Sequence, residues 1–469
     1  MTVGYPVCRA FRRDVADRTP VRKDIDMRRY LVALGCALLL AGVVAIARPA
    51  AAVVSGPVID QNFPDPDVMK VGATYYAYAT NGDGRHIKWA TSNDLVSWSV
   101  QGGDALPTLG AWVDVAWSND NHGVWAPEVF SSGPDSFVMW YVAHDRASGR
   151  QCIGAATAST PGGPFAPRAT ALVCTPATGG SIDASSFLDN GVRYIVWKND
   201  GNCCGQDTWI HIQQVSADGL SRIGAEHQLF KQTLGFEGNL VEAPTLWKRG
   251  GVYVLFYSAN SYAGTSYVSS YARATDIFGP YTKAVDPLMT TETFGGTVRG
   301  PGGQDVVTGP DGRDRIVFHG WNPSFTYRAM YSQALGWAND YPVVRGSKVR
   351  YQAENAALTH VVVRSAAGAS DGRAVGHIDY DDSRVAFTVY APRSGSYQLY
   401  TRFGNGSAGG AATHRLWVNG VDAGTVSYPV TGWDNWQTVE RGVTLCEGWN
   451  TITYGKGSNF TELDMIEVA

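Results

Sequence analysis

SIDASSFLDNGVRYIVW (181–197) and VEAPTLWKRGGVYVLFYS (241–258) decide the fold of this 469-residue chain. Each reads as a strand, a tight turn (Asp-Asn-Gly or Arg-Gly-Gly) and an aromatic-rich returning strand. A second strand pair follows each, in WIHIQQVSADGL (209–220) and SSYARATDIFGPY (269–281). Three more segments keep the plan. They are PDPDVMKVGATYYAYAT (64–80) with IKWATSNDLVSWS (87–99), WAPEVFSSGPDSFVMWYVA (125–143) with IGAATASTPGGPF (153–165), and GPGGQDVVTGPDGRDRIVFHGW (300–321) with RAMYSQALGW (328–337). Starts at 64, 125, 182, 241 and 300 give a period near sixty residues. Four short strands repeated radially are the pattern of propeller blades. The expectation is an all-β chain whose residues 53–340 form a five-bladed β-propeller.

The same counting places acids. Asp65 lies eleven residues before Tyr76, Asp183 eleven before Tyr194 and Glu242 eleven before Tyr253. The second repeat has Ala126 at that distance from Phe137. The first strand of each blade lines the channel, so this register predicts three carboxylates facing one another around the axis. A lone Asp in a loop caps a turn or pairs with an arginine. Three acids at one phase of a repeat are a different case. Like charges in a dry channel raise the pKa of at least one of them, and an arrangement that costs stability marks chemistry.

Aromatic residues make up 12% of the chain and charged ones only 17%, with 54 glycines, a turn-rich all-β balance. The length calls for two or three domains. Arg28 and Arg29 precede an apolar run from Leu31 to Ala47, which exits through Pro49, Ala50, Ala51 and Ala52. That predicts a cleaved secretory signal over residues 1–52, with Met27 as an alternative start and an uncleaved anchor as the rival reading. Beyond residue 52 the chain has 29 Lys/Arg against 38 Asp/Glu, net −9. Such a surface argues against nucleic acid or an anionic membrane and suits an uncharged glycan. The expectation is a secreted, extracellular monomer. Export permits disulfides. Cys152 can bridge Cys174, the adjacent Cys203 and Cys204 are not expected to bridge each other, and no cysteine spacing fits zinc.

The residues resemble glycoside hydrolase family 43, the five-bladed propeller glycosidases. The resembling pieces are Phe63-Pro64-Asp65-Pro66-Asp67, Trp125-Ala126-Pro127-Glu128, Ile182-Asp183-Ala184-Ser185, Val241-Glu242-Ala243-Pro244 and Phe318-His319. The resemblance implies an inverting mechanism with Asp65 as general base and Glu242 as general acid. Asp183 is implied to orient Glu242 and to raise its pKa. Inversion needs a base and an acid on opposite faces of the sugar, roughly 6.5–9.5 Å apart, with room for water between. His319 is implied to lie near the channel centre, holding a water or a cation, against the plainer reading of a buried histidine bonded to backbone. The family's usual His after Gly-Pro-Gly is missing from Gly300–Gln304. Trp125 is a candidate for stacking on a sugar and Arg299 for clamping its hydroxyls. Trp117, Asn121 and His122 would form the rim. Trp89, Trp98, Trp140 and Trp197 read as blade core.

After a linker at 341–350, residues 351–469 read as a β-sandwich, with alternation in Arg384–Val389 and Tyr397–Arg402. This part is similar to carbohydrate-binding modules of family 35, or of its relative family 6. The similarity rests on Gln352-Ala353-Glu354, Trp433-Asp434-Asn435-Trp436, Gly448-Trp449-Asn450 and Leu463-Asp464-Met465-Ile466. It implies a structural calcium on Glu354 and Asp464, with Gln352 as a further ligand; oxygen donors suit that ion. Tyr380, Trp433 and Asn459 are the candidate sugar contacts, and Trp436 and Trp449 read as core.

The leading functional expectation is a glycosidase on arabinose-containing plant-type polysaccharide, of arabinofuranosidase or arabinanase type. Glu242-Ala243-Pro244 resembles the arabinan-active members of that family more than its xylosidases, which tend to have Gly after the acid, and a β-xylosidase or galactan-active enzyme is the alternative within it. A reading from another class is a non-catalytic, lectin-like propeller.

Overall fold

The computed structural model describes residues 56–117 and 123–469. The expected leader at 1–52 and the expected rim residues Asn121 and His122 lie outside the described residues. Among the described residues helix is limited to short 3-10 turns such as Gly201–Cys204, and no helix is long and apolar enough to cross a membrane.

The repeats fold as five four-stranded antiparallel sheets, each a simple meander. The first holds β1 (Asp67–Val71), β2 (Thr74–Ala79), β3 (Lys88–Ser92) and β4 (Ser99–Val100). The second holds β5 (Trp125–Gly133), β6 (Ser136–Asp145), β7 (Arg150–Ala158) and β8 (Ala166–Pro167). The third holds β9 (Ser181–Asp189), β10 (Val192–Asn199), β11 (Trp209–Val215) and β12 (Arg222–Lys231). The fourth holds β13 (Val241–Arg249), β14 (Val252–Ala259), β15 (Val268–Ala274) and β16 (Thr282–Lys283). The fifth holds β17 (Arg299–Thr308), β18 (Asp314–Trp321), β19 (Arg328–Ala338) and β20 (Tyr341–Val344). Turn chemistry sets the hairpins. Asn190 and Gly191, at φ 49° and 82°, form the two-residue link that matches strand twist.

An apolar cluster fills each joint between consecutive sheets. A fifth cluster, with Phe63, Tyr75, Val317 and Met330, joins the last sheet to the first. Ahead of β1, Ile59 bridges Met330 and the Phe63 N–H donates to Arg328 O at 2.8 Å. The sheets therefore close into a ring, and their first strands touch in cyclic order around the centre. Trp140 and Trp197 are fully buried, and Trp89 and Trp98 are partly buried against the joints.

Each first strand meets the centre through the same irregularity. Ala126, Asp183, Ala243 and Gly303 each sit where three steps of the first strand oppose two of the second. Asp65 takes that place just ahead of β1, where the Thr80 N–H reaches Pro64 O. All five have φ between 41° and 56°. This ring of bulges corrects the register expected for Glu242. The residue equivalent to Asp65 and Asp183 is Ala243, and Glu242 stands one residue earlier, level with Trp125, Ile182 and Gly302. The count slips because Tyr253 is the second residue of β14, whereas Tyr76 and Tyr194 are the third of β2 and β10. A one-residue slip changes the face of a strand.

Two residues past each bulge lies another inward level: Asp67, Glu128, Ser185, Thr245 and Asp305. Here the acids clasp neighbouring sheets. Asp305 accepts the Val68 N–H at 2.8 Å, Asp67 accepts the Val129 N–H at 2.9 Å and Glu128 accepts the Ser186 N–H at 2.7 Å. Thr245 Oγ1 donates to Gln304 O at 2.8 Å across the fourth joint. Burial, with the charge of Asp305, pushes Asp67 well above the carboxylate range. Burial and the charges of Asp67 and Asp305 do the same to Glu128, and burial lifts Asp305 to about 7.

Residues 349–468 form two further sheets of six and five strands, which share one apolar core including Phe387, Phe403, Tyr428 and Tyr454. Two expectations change here. Residues 341–350 are strand at both ends, because β20 pairs with β19 and Val349–Gln352 pairs with Glu462–Val468. Trp449 is 51% exposed, not core, whereas Trp436 is half-buried with Nε1 on Ala367 O. Cys152 is bridged to Cys174 as expected. Against expectation Cys203 is bridged to Cys204, within the 3-10 turn after β10.

Groups whose pKa is raised by folding stabilise the protein below their unfolded pKa, and that contribution is lost as pH climbs through the folded value. Glu128→Gln keeps an oxygen for the Ser186 N–H and removes one buried charge. From about pH 4 to pH 8 its Tm, read by calorimetry, is expected to gain on the wild type by roughly 2–4 °C. A constant difference across that range would contradict the upward shift of the Glu128 carboxyl.

Candidate active site

A cavity of about 430 Å3 opens at the centre of the ring, with wall from all five sheets. Asp65, Asp183 and Glu242 all line it.

Asp65 is surrounded by donors. Thr80 Oγ1 donates to its Oδ2 at 2.6 Å, and Arg328 Nη1 reaches its Oδ1 at 3.2 Å. Its own N–H donates to His319 Nδ1 at 3.0 Å. Burial alone would raise its pKa, but Arg328, His319 and Thr80 together win and hold it well below the ordinary carboxylate range. Asp183 is equally enclosed and has the opposite fate. Burial and then the charge of Glu242 push it up to about 7, against Lys198 and the Ala243 N–H, which donates to Asp183 Oδ2 at 3.0 Å. Glu242 is gripped from both sides: Lys198 Nζ reaches Oε2 at 3.1 Å and the Tyr267 hydroxyl donates to Oε1 at 2.7 Å. Lys198 is fully buried and also donates to Asn202 Oδ1 at 2.7 Å.

Tyr267 and His319 link the two ends of the site. Their rings stack at 5.7 Å between centroids with 8° between planes. One ring holds Glu242 and the other accepts the Asp65 N–H. The two rings pack against Gly302 and Gly303. A Cβ on Gly302 would come 2.1 Å from the Tyr267 ring, and one on Gly303 would come 2.6 Å from His319. The Gly-Pro-Gly-Gly run at 300–303 makes room for these rings.

The structure sorts the remaining candidates. Trp125 lines the cavity, and Trp117 stands edge-on to it at 6.0 Å while stacking on His144 at 4.5 Å. His319 is fully buried with Nδ1 on the Asp65 N–H and Nε2 3.3 Å from Arg328, so it is the buried histidine bonded to backbone and sits behind the wall, not as a substrate contact. Arg299 does not reach the cavity either; its Nη1 donates to Pro323 O at 2.7 Å. Arg328, Lys198 and Tyr267 join the site without having stood out in the sequence. Lys198, a cation closing the apolar run Tyr194–Trp197, is the one with a local signal.

In the C-terminal sheets Trp433 is 48% exposed and lies on Gly406, where a Cβ would come within 2.5 Å of its ring. The Asn459 amide is spent on Gly409 O and Ala411 O, so it braces a loop. Tyr380 is exposed on a separate loop. Both Glu354 carboxylate oxygens are buried without a donor, and burial, with Asp371 and Asp464 nearby, raises its pKa. Asp464 is held by Arg402 and by the Ser370 N–H, and Ser370 Oγ donates to Gln352 Oε1 at 2.7 Å.

The family described as Glycosyl hydrolases family 43 matches residues 54–342. The chain is 25% identical over 342 residues to the Extracellular endo-alpha-(1->5)-L-arabinanase 1 of Bacillus subtilis, covering 69% of this chain and 99% of that one. It is 26% identical to the Extracellular exo-alpha-(1->5)-L-arabinofuranosidase of Streptomyces avermitilis, covering 55% of this chain and 54% of that one, so it spans about half of that relative's length. Among solved structures, an Endo-1,4-beta-xylanase from Bacteroides thetaiotaomicron aligns with TM-score 0.51 at 28% identity, over 61% of this chain and 96% of that one.

Tyr267→Phe keeps the stack on His319 and removes the donor to Glu242. Hydrogen bonds to charged groups contribute about 1.5–3 kcal/mol, so kcat is expected to fall about 10- to 100-fold with an unchanged circular dichroism spectrum. Wild-type turnover in this variant would remove Tyr267 from the site.

Proposed function

The chain belongs to the glycosyl hydrolases of family 43, enzymes that cleave O-glycosyl bonds with inversion, and we propose that its ring of sheets acts on arabinose-containing plant-type polysaccharide. The carrying observation is the split between two acids lining one cavity, Asp65 held ionised and Asp183 pushed to about 7 beside Glu242. Asp65 takes a proton from the attacking water as its oxygen bonds to the anomeric carbon. Glu242 gives a proton to the departing glycosidic oxygen, so the sugar leaves with inverted configuration. Asp183 works through Glu242: the pair keeps one proton available near neutral pH. Arg328 and Tyr267 position the base and the acid.

The five sheets are read as the blades of a propeller and the C-terminal sheets as a carbohydrate-binding sandwich of the family 35 or family 6 kind, with Trp433 as its sugar contact. Relatives named as extracellular arabinan-degrading enzymes support export and the arabinose reading. The likeness to a xylanase structure at similar identity keeps a β-xylosidase as the second reading. A lectin-like propeller has no use for an ionised and a protonated carboxyl in one cavity. In the sandwich a hard cation fits Glu354, whose oxygens lack donors, with Gln352 and Asp464 beside it; calcium there would join the Glu354 turn to the last strand.

Asp65→Asn and Glu242→Gln are each expected to lower kcat/KM on aryl arabinofuranoside by about 10²–10⁴-fold, with inverted product in the wild-type reaction by NMR. Wild-type failure on both aryl arabinofuranoside and aryl xyloside would sink the glycosidase reading. The pH profile should lose activity above about 7, where the Asp183–Glu242 pair gives up its proton, and Asp183→Asn should move that limb to lower pH. Calcium is expected to raise Tm in the wild type and not in Glu354→Ala; equal shifts would refute the site.

A further inference from the structure

The fifth sheet carries a row of aromatic and guanidinium groups of which the acid–base chemistry uses only Arg328. Trp321 ends β18 and pairs with Arg299 of β17 on one side and Arg328 of β19 on the other. Directly paired residues share a face of the sheet. The Arg328 guanidinium lies 4.8 Å from the centre of the Tyr262 ring, and that of Arg299 lies 5.1 Å from the centre of the Phe325 ring. Trp321 joins the two halves. Its ring is 6.0 Å from that of Phe325, and its Nε1 donates to Tyr262 O at 2.7 Å. The row starts in the cavity wall, which Tyr262 lines, and runs out to Phe325.

Two features set the row apart from ordinary surface. Tyr262 is 51% exposed and Phe325 is 41% exposed, so two large rings stay in water where burial would be favourable. Phe325 also holds φ at 54°, which a bulky side chain rarely adopts. The turn around it is tied down. Asn322 O accepts the Phe325 N–H at 3.0 Å, Asn322 Oδ1 accepts the Thr326 N–H at 2.8 Å, and Arg299 holds Pro323 O. A strained, exposed ring kept rigid by its neighbours points towards a ligand.

We propose that this row is a second sugar subsite, which takes a neutral sugar of the same glycan chain one or more units from the bond being cleaved. The inference rests on the glycosidase reading of the cavity. A sugar presents an apolar C–H face to an aromatic ring, and its hydroxyls accept from a guanidinium. Tyr262 belongs both to the cavity and to the row, so the occupant is the continuation of the chain already seated at Asp65 and Glu242. The substrate is therefore an oligosaccharide or polysaccharide, and an aryl glycoside fills the cavity alone.

The test uses the full chain. Phe325→Asn removes the ring with a residue that tolerates this φ, and Phe325→Tyr restores it. Rates are measured on aryl arabinofuranoside and aryl xyloside, and on 1,5-linked arabino- and 1,4-linked xylo-oligosaccharides of two to five sugars. Phe325→Asn is expected to leave the aryl glycoside rate within about twofold. On the longest chain cleaved it should lower kcat/KM about five- to tenfold, mainly through KM, with recovery in Phe325→Tyr. Equal loss on short and long substrates, or loss on neither, overturns the subsite while wild-type turnover leaves the glycosidase reading intact. Calorimetric binding of the five-sugar chains, with both proteins carrying Glu242→Gln, tests the subsite without turnover. Weaker binding by Phe325→Asn supports the subsite even if the glycosidase reading fails. Equal affinity, or no binding by the protein that keeps Phe325, overturns the subsite.

Discussion

Every first strand of the ring enters the centre through a residue at positive φ, and the rest of the site hangs on those five bulges. A strand without a bulge alternates strictly, so it presents one residue in two to the channel. The bulge sets two residues against one and breaks the alternation. Residues at successive positions, such as Glu242 at one level and Asp183 at the next, then line one cavity. Non-glycine residues resist this conformation by about 1–3 kcal/mol each. The strain is offset locally: the Thr80 hydroxyl accepts the Ala126 N–H at 2.9 Å, and Asp183 accepts that of Ala243. Bulge residues of one sheet are thus tied to the wall of another.

Asp65 and Asp183 show that position alone does not set charge. Both occupy the bulge and both are enclosed. Their pKa values part because Asp65 faces Arg328, His319 and Thr80, whereas Asp183 faces Glu242 with Lys198 shared between the two acids. Below them Asp67, Glu128 and Asp305 add further acid without a cation in their bonds, and each accepts a backbone N–H. The ring spends these carboxyls on joining sheets and tolerates their repulsion by keeping protons on them.

The repeat is legible in the sequence because its turns and aromatic strands are local. Asn190-Gly191 specifies a hairpin wherever it occurs, and Asp65 and Asp183 follow from counting within such hairpins. The count fails at Glu242, since Tyr253 is displaced by one residue in its strand and only the pairing of β13 with β14 reveals it. Long-range partners leave no trace in the sequence. Arg328 acts on a carboxylate 263 residues away, and nothing local separates it from Arg299, which flanks the same tryptophan in the sheet and stays outside the cavity. The Cys203–Cys204 bridge is unexpected from adjacency alone, because adjacency says nothing of the 3-10 turn that accommodates it.

The stacked pair Tyr267–His319 carries the last step of the synthesis. Under the proposed roles, base and acid must keep a separation wide enough for a water and a sugar. Neither carboxylate can hold that distance from its own strand, because Asp65 belongs to the first sheet and Glu242 to the fourth, and these meet only through the fifth. Two rings wedged on the bare backbone of Gly302 and Gly303 form a spacer of fixed length, with a hydroxyl on Glu242 at one end and a ring nitrogen on the Asp65 backbone at the other. Three sheets are thereby fixed to one another at the point where the chemistry needs them fixed. On this view the two glycines are as much part of the acid–base geometry as the acids: a single methyl on either would displace a ring and, through it, one of the two carboxylates.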